Sequence, residues 1–202
     1  MGVKFPDFSH YQTLPGEMGQ DFAAIAAAYP AVILKATQGA TGVDATFATR
    51  WRAAHDAGLL CGAYHFGNGD NPELQAAHFL ATVNPGPDDL LVLDWECAPM
   101  TMDQARAFVE NVQAQTNRLP VLYGGLSFFQ SQNIAADSVL AQCPLWLAAY
   151  RDAPPAPPAP WTEWAMWQFS DKETINGVSG PVDMNVSKFD DAAALTPWWK
   201  GQ

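Results

Sequence analysis

Leu90-Leu91-Val92-Leu93-Asp94-Trp95-Glu96 opens with four consecutive aliphatic residues and closes on two carboxylates two positions apart. An aliphatic run of this kind predicts a buried strand. Side chains alternate along a strand, so Asp94 and Glu96 point the same way. At a rise of about 3.3 Å per residue their Cα atoms lie about 6–7 Å apart. The run is one of several. Working outward, strand-like segments are expected at Val3–Ser9, Ala31–Thr37 and Leu59–Phe66 before it, and at Pro120–Gly124, Leu145–Tyr150, Trp164–Ser170 and Val182–Val186 after it.

Helical patterns separate the early runs. Asp21–Ala28 is rich in alanine and ends at Tyr29-Pro30. Ala45–Ala57 closes on Gly58, a natural C-terminal stop. Asn71-Pro72 supplies a cap and a first-turn proline for a helix over Pro72–Val83. Thr101 and Gln104 form a capping box that opens a helix running to about Asn117. Beyond residue 120 the helical patterns thin out and loops are expected between strands. The proline-rich stretch Ala153–Pro160 is too short for a domain linker, and strand-like sequence resumes directly after it, so it predicts a surface loop of polyproline character. The expected fold is α/β: an irregular (β/α) barrel of eight strands with helices mainly in the first half, as a single domain over residues 1–202. In such barrels the active site lies at the C-terminal ends of the strands.

Composition excludes several functions. The chain has 202 residues, 49% of them hydrophobic, enough for a sizeable core. Its net charge is −11 with only ten Lys and Arg, which argues against a nucleic-acid partner and against a basic membrane-surface helix. No apolar run reaches the roughly 18 residues of a membrane span. The three cysteines, Cys61, Cys97 and Cys143, are odd in number and far apart, and are expected to be small buried hydrophobes rather than disulfides or nucleophiles. The four histidines, His10, His55, His65 and His78, show no paired ligand spacing, so no metal and no cofactor is expected. The opening residues MGVKFPDFSHYQ lack a charged leader, an apolar core and a cleavage site in series. A monomer is the default expectation.

The carboxylates carry the chemistry. Two like charges at the spacing of Asp94 and Glu96 raise one another's pKa, favouring one protonated acid beside one ionised carboxylate, which glycosidic cleavage requires. The bland alternative is a solvated strand end or a helix cap. Asp7 closes the first run and Asp183 lies in the last. Singly, each suits a turn or cap. First and last strands of a closed barrel are neighbours, so the two would flank each other near Asp94 and Glu96 in one acidic cleft. Aromatic and amide side chains at strand ends, Tyr64, Tyr123, Trp146, Tyr150 and Gln168, are expected to stack on sugar rings and bind hydroxyl and N-acetyl groups, although core packing is the ordinary use of any one aromatic.

PDFSHYQ, ILKATQG, GAYHF, LDWE, LYGG, LWLAAY, WQFS and VDMN, in that order between residues 6 and 185, resemble the motifs of family 25 glycoside hydrolases. Any one motif is weak, but eight in order are specific and cover nearly the whole chain. The resemblance implies an eight-stranded barrel with a helix-poor second half. It further implies hydrolysis of the β-1,4 bond between N-acetylmuramic acid and N-acetylglucosamine in bacterial peptidoglycan. Glu96 would be the general acid/base, Asp94 its partner carboxylate, and Asp7 and Asp183 the outer acids. One departure stands out. The family's second-strand motif commonly reads A-T-E-G, and here it is Ala36-Thr37-Gln38-Gly39. Gln38 keeps the shape and loses the charge, so altered substrate contact or pH dependence is expected.

A substrate-assisted, retaining reaction with Asp94 orienting the N-acetyl group is the preferred expectation, with direct activation of water by Asp94 as the runner-up. A chitin-type hydrolase and a non-catalytic cell-wall-binding barrel are the competing functions. Action on the bacterial cell wall, outside the cell or in the periplasm, is expected, with release through a holin or a delivery system.

Overall fold

The computed structural model describes residues 2–12, 21–96 and 99–202. Cys97 lies outside the described residues. Among these residues nine strands form one sheet: β1 (Lys4–Phe8), β2 (Ala31–Gln38), β3 (Gly42–Val43), β4 (Leu60–Phe66), β5 (Leu90–Asp94), β6 (Val121–Gly125), β7 (Leu145–Ala148), β8 (Met166–Glu173) and β9 (Val182–Ser187). The order β1-β9-β8-β7-β6-β5-β4-β2 closes because β1 also pairs with β2, through Asp7 to Ile33 and Phe8 to Leu34. Eight strands therefore make a barrel, and β3 is a two-residue antiparallel appendage on β2.

The barrel is parallel except for β9, which runs antiparallel to both β1 and β8. That reversal has a simple cause. Parallel neighbours need a long crossover, whereas antiparallel ones need only a loop. The segment between β8 and β9 is a loop with no helix. The reversal also decides where Asp183 lies. As the second residue of β9 it would face the wrong end of an all-parallel barrel. Running backwards, β9 sets Asp183 opposite Asp7, their Cα positions in register.

The helices are α1 (Phe22–Ala26), α2 (Phe47–Asp56), α3 (Pro72–Val83), α4 (Met102–Thr116), α5 (Leu126–Ser131), α6 (Val139–Gln142) and α7 (Ala192–Lys200). The first four occupy the places expected from sequence. The Asn71 side chain caps α3 at the Leu74 amide, 2.8 Å away, and the Thr101–Gln104 capping box is formed. Gly58 follows α2 at φ +76°, a left-handed conformation that suits glycine. In the second half, α5 and α6 are short, and α7 was not expected.

Apolar residues fall into two layers. Outside the barrel, Leu34, Ala63, Leu91, Leu93 and Leu122 pack against Phe79 of α3 and Phe108 and Val112 of α4. Inside it, Phe5, Ile33, Leu90, Val92 and Val121 fill the lower half together with Leu195 and Trp199 of α7. Trp199 meets Phe5 edge to face at 5.6 Å and donates its Nε1 hydrogen to the Cys61 carbonyl at 3.0 Å. α7 thus plugs the barrel at the N-terminal ends of the parallel strands. The other end is left open.

Candidate active site

The open end holds a cavity of about 230 Å³. The alternation that turns Leu90 and Val92 inward also turns Asp94 inward, while Leu91, Leu93 and Trp95 face the helices. The strand was expected to reach Glu96 but ends at Asp94. Pairing carries on for one rung, since the Trp95 amide donates to the Tyr123 carbonyl at 2.9 Å. Trp95 is fully buried, gives its Nε1 hydrogen to the Met100 carbonyl at 3.0 Å and packs edge-on against Phe128. Close approach at this point depends on Gly124, where a Cβ atom would sit 2.6 Å from the Trp95 carbonyl oxygen. Glu96 is thereby fixed at the cavity rim, exposed, above a buried Asp94.

Asp7 and Asp183 line the same cavity. Asp7 is buried and accepts at one oxygen from two amides, Gln168 Nε2 at 2.9 Å and Asn185 Nδ2 at 2.8 Å. Asn185 is held in turn by Trp146, whose Nε1 donates to it at 2.8 Å. Gln168 accepts from the Tyr123 hydroxyl at 2.8 Å and the Tyr150 hydroxyl at 3.1 Å. Gln168 therefore links three cavity residues and spends its amide on them. Among the described residues, Asp183 receives only a long bond, from Gln12 Nε2 at 3.3 Å.

Four carboxylates in one hollow cannot all ionise easily. Burial raises Asp7 to about 6, opposed by the amides of Asn185 and Gln168, which favour its charged form. Burial, Asp7, Asp171 and Glu96 together raise Asp183 to about 8. Of this pair, Asp7 ionises first because it alone has two strong donors. Burial pushes Asp94 well above the ordinary carboxylate range, and Glu96 and Asp7 add to the rise, while Lys35 opposes it. Glu96, nearer solvent, is raised less, again with Lys35 opposing. The protonated form is thus favoured at both, most by burial at Asp94. One oxygen of Asp94, Oδ1, is buried with no hydrogen-bond partner among the described residues.

Tyr64, Tyr123, Trp146, Tyr150 and Gln168 all line the cavity, as do Asp7, Asp94, Glu96 and Asp183. Gln38 does not. It lies in a neighbouring depression with His10, Asp44, Asn68 and Asp70. The cause is a bulge between Lys35 and Thr37, which turns Thr37 outward to bond with the His65 ring at 2.7 Å and leaves Gln38 on the rim. Sequence reasoning missed Lys35, Phe66, Ser9, Tyr11 and Gln12, which also line the cavity. For Lys35 a signal existed: a lone lysine at an inward position of an otherwise apolar run.

The family model for glycosyl hydrolases family 25 matches residues 7–178. The chain belongs to glycosyl hydrolase family 25. Lysozyme M1 of Streptomyces globisporus is 30% identical over 210 residues, covering 96% of this chain and 69% of that protein. The uncharacterized protein YegX of Escherichia coli K12 is 33% identical over 160 residues, covering 76% of this chain. The chain spans only 57% of the length of YegX. Among solved structures, the bacterial lysozyme from Streptomyces coelicolor superposes with a TM-score of 0.84 at 26% identity, covering 100% of this chain and 99% of that one. The family 25 assignment fits an acidic mouth on a barrel that is closed below.

Proposed function

We propose that the chain is a muramidase acting as a monomer at the bacterial cell wall, hydrolysing the β-1,4 bond between N-acetylmuramic acid and N-acetylglucosamine. Its similarity to Lysozyme M1 and to the Streptomyces coelicolor lysozyme supports the substrate class. The observation that carries the mechanism is the buried, unpartnered Oδ1 of Asp94 beside Glu96. A buried acceptor without a donor is costly, and a substrate amide N–H satisfies it.

In this mechanism the N-acetyl N–H of the sugar to be cleaved donates to Asp94. Hydrogen bonding to the charged form favours that form, so binding favours an ionised Asp94 beside a protonated Glu96. Glu96 then gives the proton to the departing glycosidic oxygen as the acetamido oxygen attacks the anomeric carbon. A ring forms between them, with Asp94 holding the N–H. Glu96, now ionised, takes a proton from water, which opens the ring and leaves the anomeric configuration unchanged. Asp7, oriented by Gln168 and Asn185, and Asp183 bind sugar hydroxyls at the opposite wall. Proton NMR of the reaction mixture tests this. A muramic acid reducing end should appear first as the β anomer. An initial α anomer would refute the substrate-assisted route.

A further inference from the structure

Lysines are almost never buried without an ion-pair partner. Lys35 is 8% exposed. It follows Ala31 and Ile33 on the inward face of β2 and lines the cavity with Asp7, Asp94, Glu96 and Asp183. Its Nζ donates to Gln38 Oε1 at 3.0 Å and sits 4.9 Å from the centre of the Phe66 ring. Both partners are neutral, and among the described residues no carboxylate is within ion-pair reach. It is the one Lys or Arg among the described residues that line this cavity. We propose that Lys35 is the electrostatic counterweight of the Asp94–Glu96 pair, a positioning residue, and that Gln38 anchors its ammonium without neutralising it.

The placement explains why a neutral anchor matters. An ammonium locked onto a carboxylate presents little net field beyond the pair. Held by an amide and an aromatic face, it keeps its full charge, and the charge acts on whatever acids share the cavity. The groups around it are few. β1 contributes Asp7, and β4 contributes Tyr64, while His65 of β4 points outward. β5 and the residues after it contribute Asp94 and Glu96, and β9 contributes Asp183. In the adjoining depression, Asp44 is taken by His10 at 2.8 Å, and Asp70 is held by Asn68 and the Ala40 amide. His78, on α3, bonds the Gly42 carbonyl. Lys35 lowers the proton affinity of both Asp94 and Glu96, against burial that raises it. It thus favours the ionised form of each carboxylate against the burial that favours the protonated one.

This rests on the muramidase reading for its effect on rate, but its electrostatic content is readable without substrate. The test is a carbon-13 NMR titration of the Asp94 and Glu96 carboxyl groups in the wild type, in Lys35→Met and in Gln38→Glu, followed by pH–activity profiles on peptidoglycan. Both variants should move the two carboxyl titrations to higher pH, by about one unit in Lys35→Met and by less in Gln38→Glu. The alkaline limb of kcat should follow. Unchanged titrations in Lys35→Met, with KM raised and kcat kept, would make Lys35 a substrate contact and overturn the proposal. Should Lys35→Met fail to fold, Gln38→Glu on the exposed rim decides by the same criterion. A wild type that titrates as described yet cleaves no peptidoglycan would refute the muramidase and leave the electrostatic claim standing.

Discussion

Asp183 is raised by burial and by the acids around it, and its linkage to folding has a definite sign. Its ordinary pKa is 3.8, and in the folded protein it is about 8. Below the lower value both states hold the proton and there is no penalty. Between the two, the unfolded chain releases its proton while the folded one keeps it, so stability falls as pH rises through this window and levels off above the folded value. Asp183→Asn removes that penalty. It should therefore raise the Tm at pH 8 by a few degrees and leave it nearly unchanged at pH 4, as measured by calorimetry. A rise of equal size at both pH values would contradict the electrostatic account. Asp7 and Asp183 were legible as acids of the cleft because barrel closure joins the first and last strands. The unequal sharing of protons between them was not, because it depends on Asn185 and Gln168, whose amides aim at Asp7 only in three dimensions.

The elements that set the site are β5, β6 and α7. Gly124→Ala on β6 would drive a methyl group into the Trp95 carbonyl and the Phe129 ring. It is expected to displace Glu96 and cut kcat by about tenfold or more, since even small misplacement of a catalytic group is costly. A pH-rate profile on correctly folded protein checks it. Trp199→Ala on α7 should cost about 3–5 kcal/mol in urea unfolding, because it empties the plug at the base of the barrel. Helices α1 to α4 were legible through their patterns and caps. α7 was not: it is nine residues long with Pro197 inside it, and proline reads as a helix breaker. The reversal of β9 is not legible in the sequence, because periodicity shows that a strand exists and says nothing of its direction. The bulge in β2 is illegible for a similar reason, and with it the displacement of Gln38 to the rim.

At the scale of the whole molecule, a net charge of −11 opposes approach to an anionic wall. Raising ionic strength toward 0.15 M, where the Debye length is about 8 Å, should speed hydrolysis of walls rich in anionic polymers and leave the rate on walls stripped of them nearly constant. The order of eight short motifs made the barrel and its acidic mouth legible, since strand ends converge in a closed sheet. What spacing along the chain could not show was which side chains serve the substrate and which serve one another, as Gln168 and Trp146 do. The central claim is that this mouth cleaves muramyl bonds with Glu96 as proton donor. Purified peptidoglycan treated with the wild type or with Glu96→Gln, reduced with borohydride and analysed by mass spectrometry, tests it most directly. The account predicts disaccharide-peptides with reduced muramic acid ends from the wild type and, for the variant, a loss of about 10²–10⁴-fold with a Tm no lower than that of the wild type. Reduced glucosamine ends, or equal release by both proteins, would contradict it.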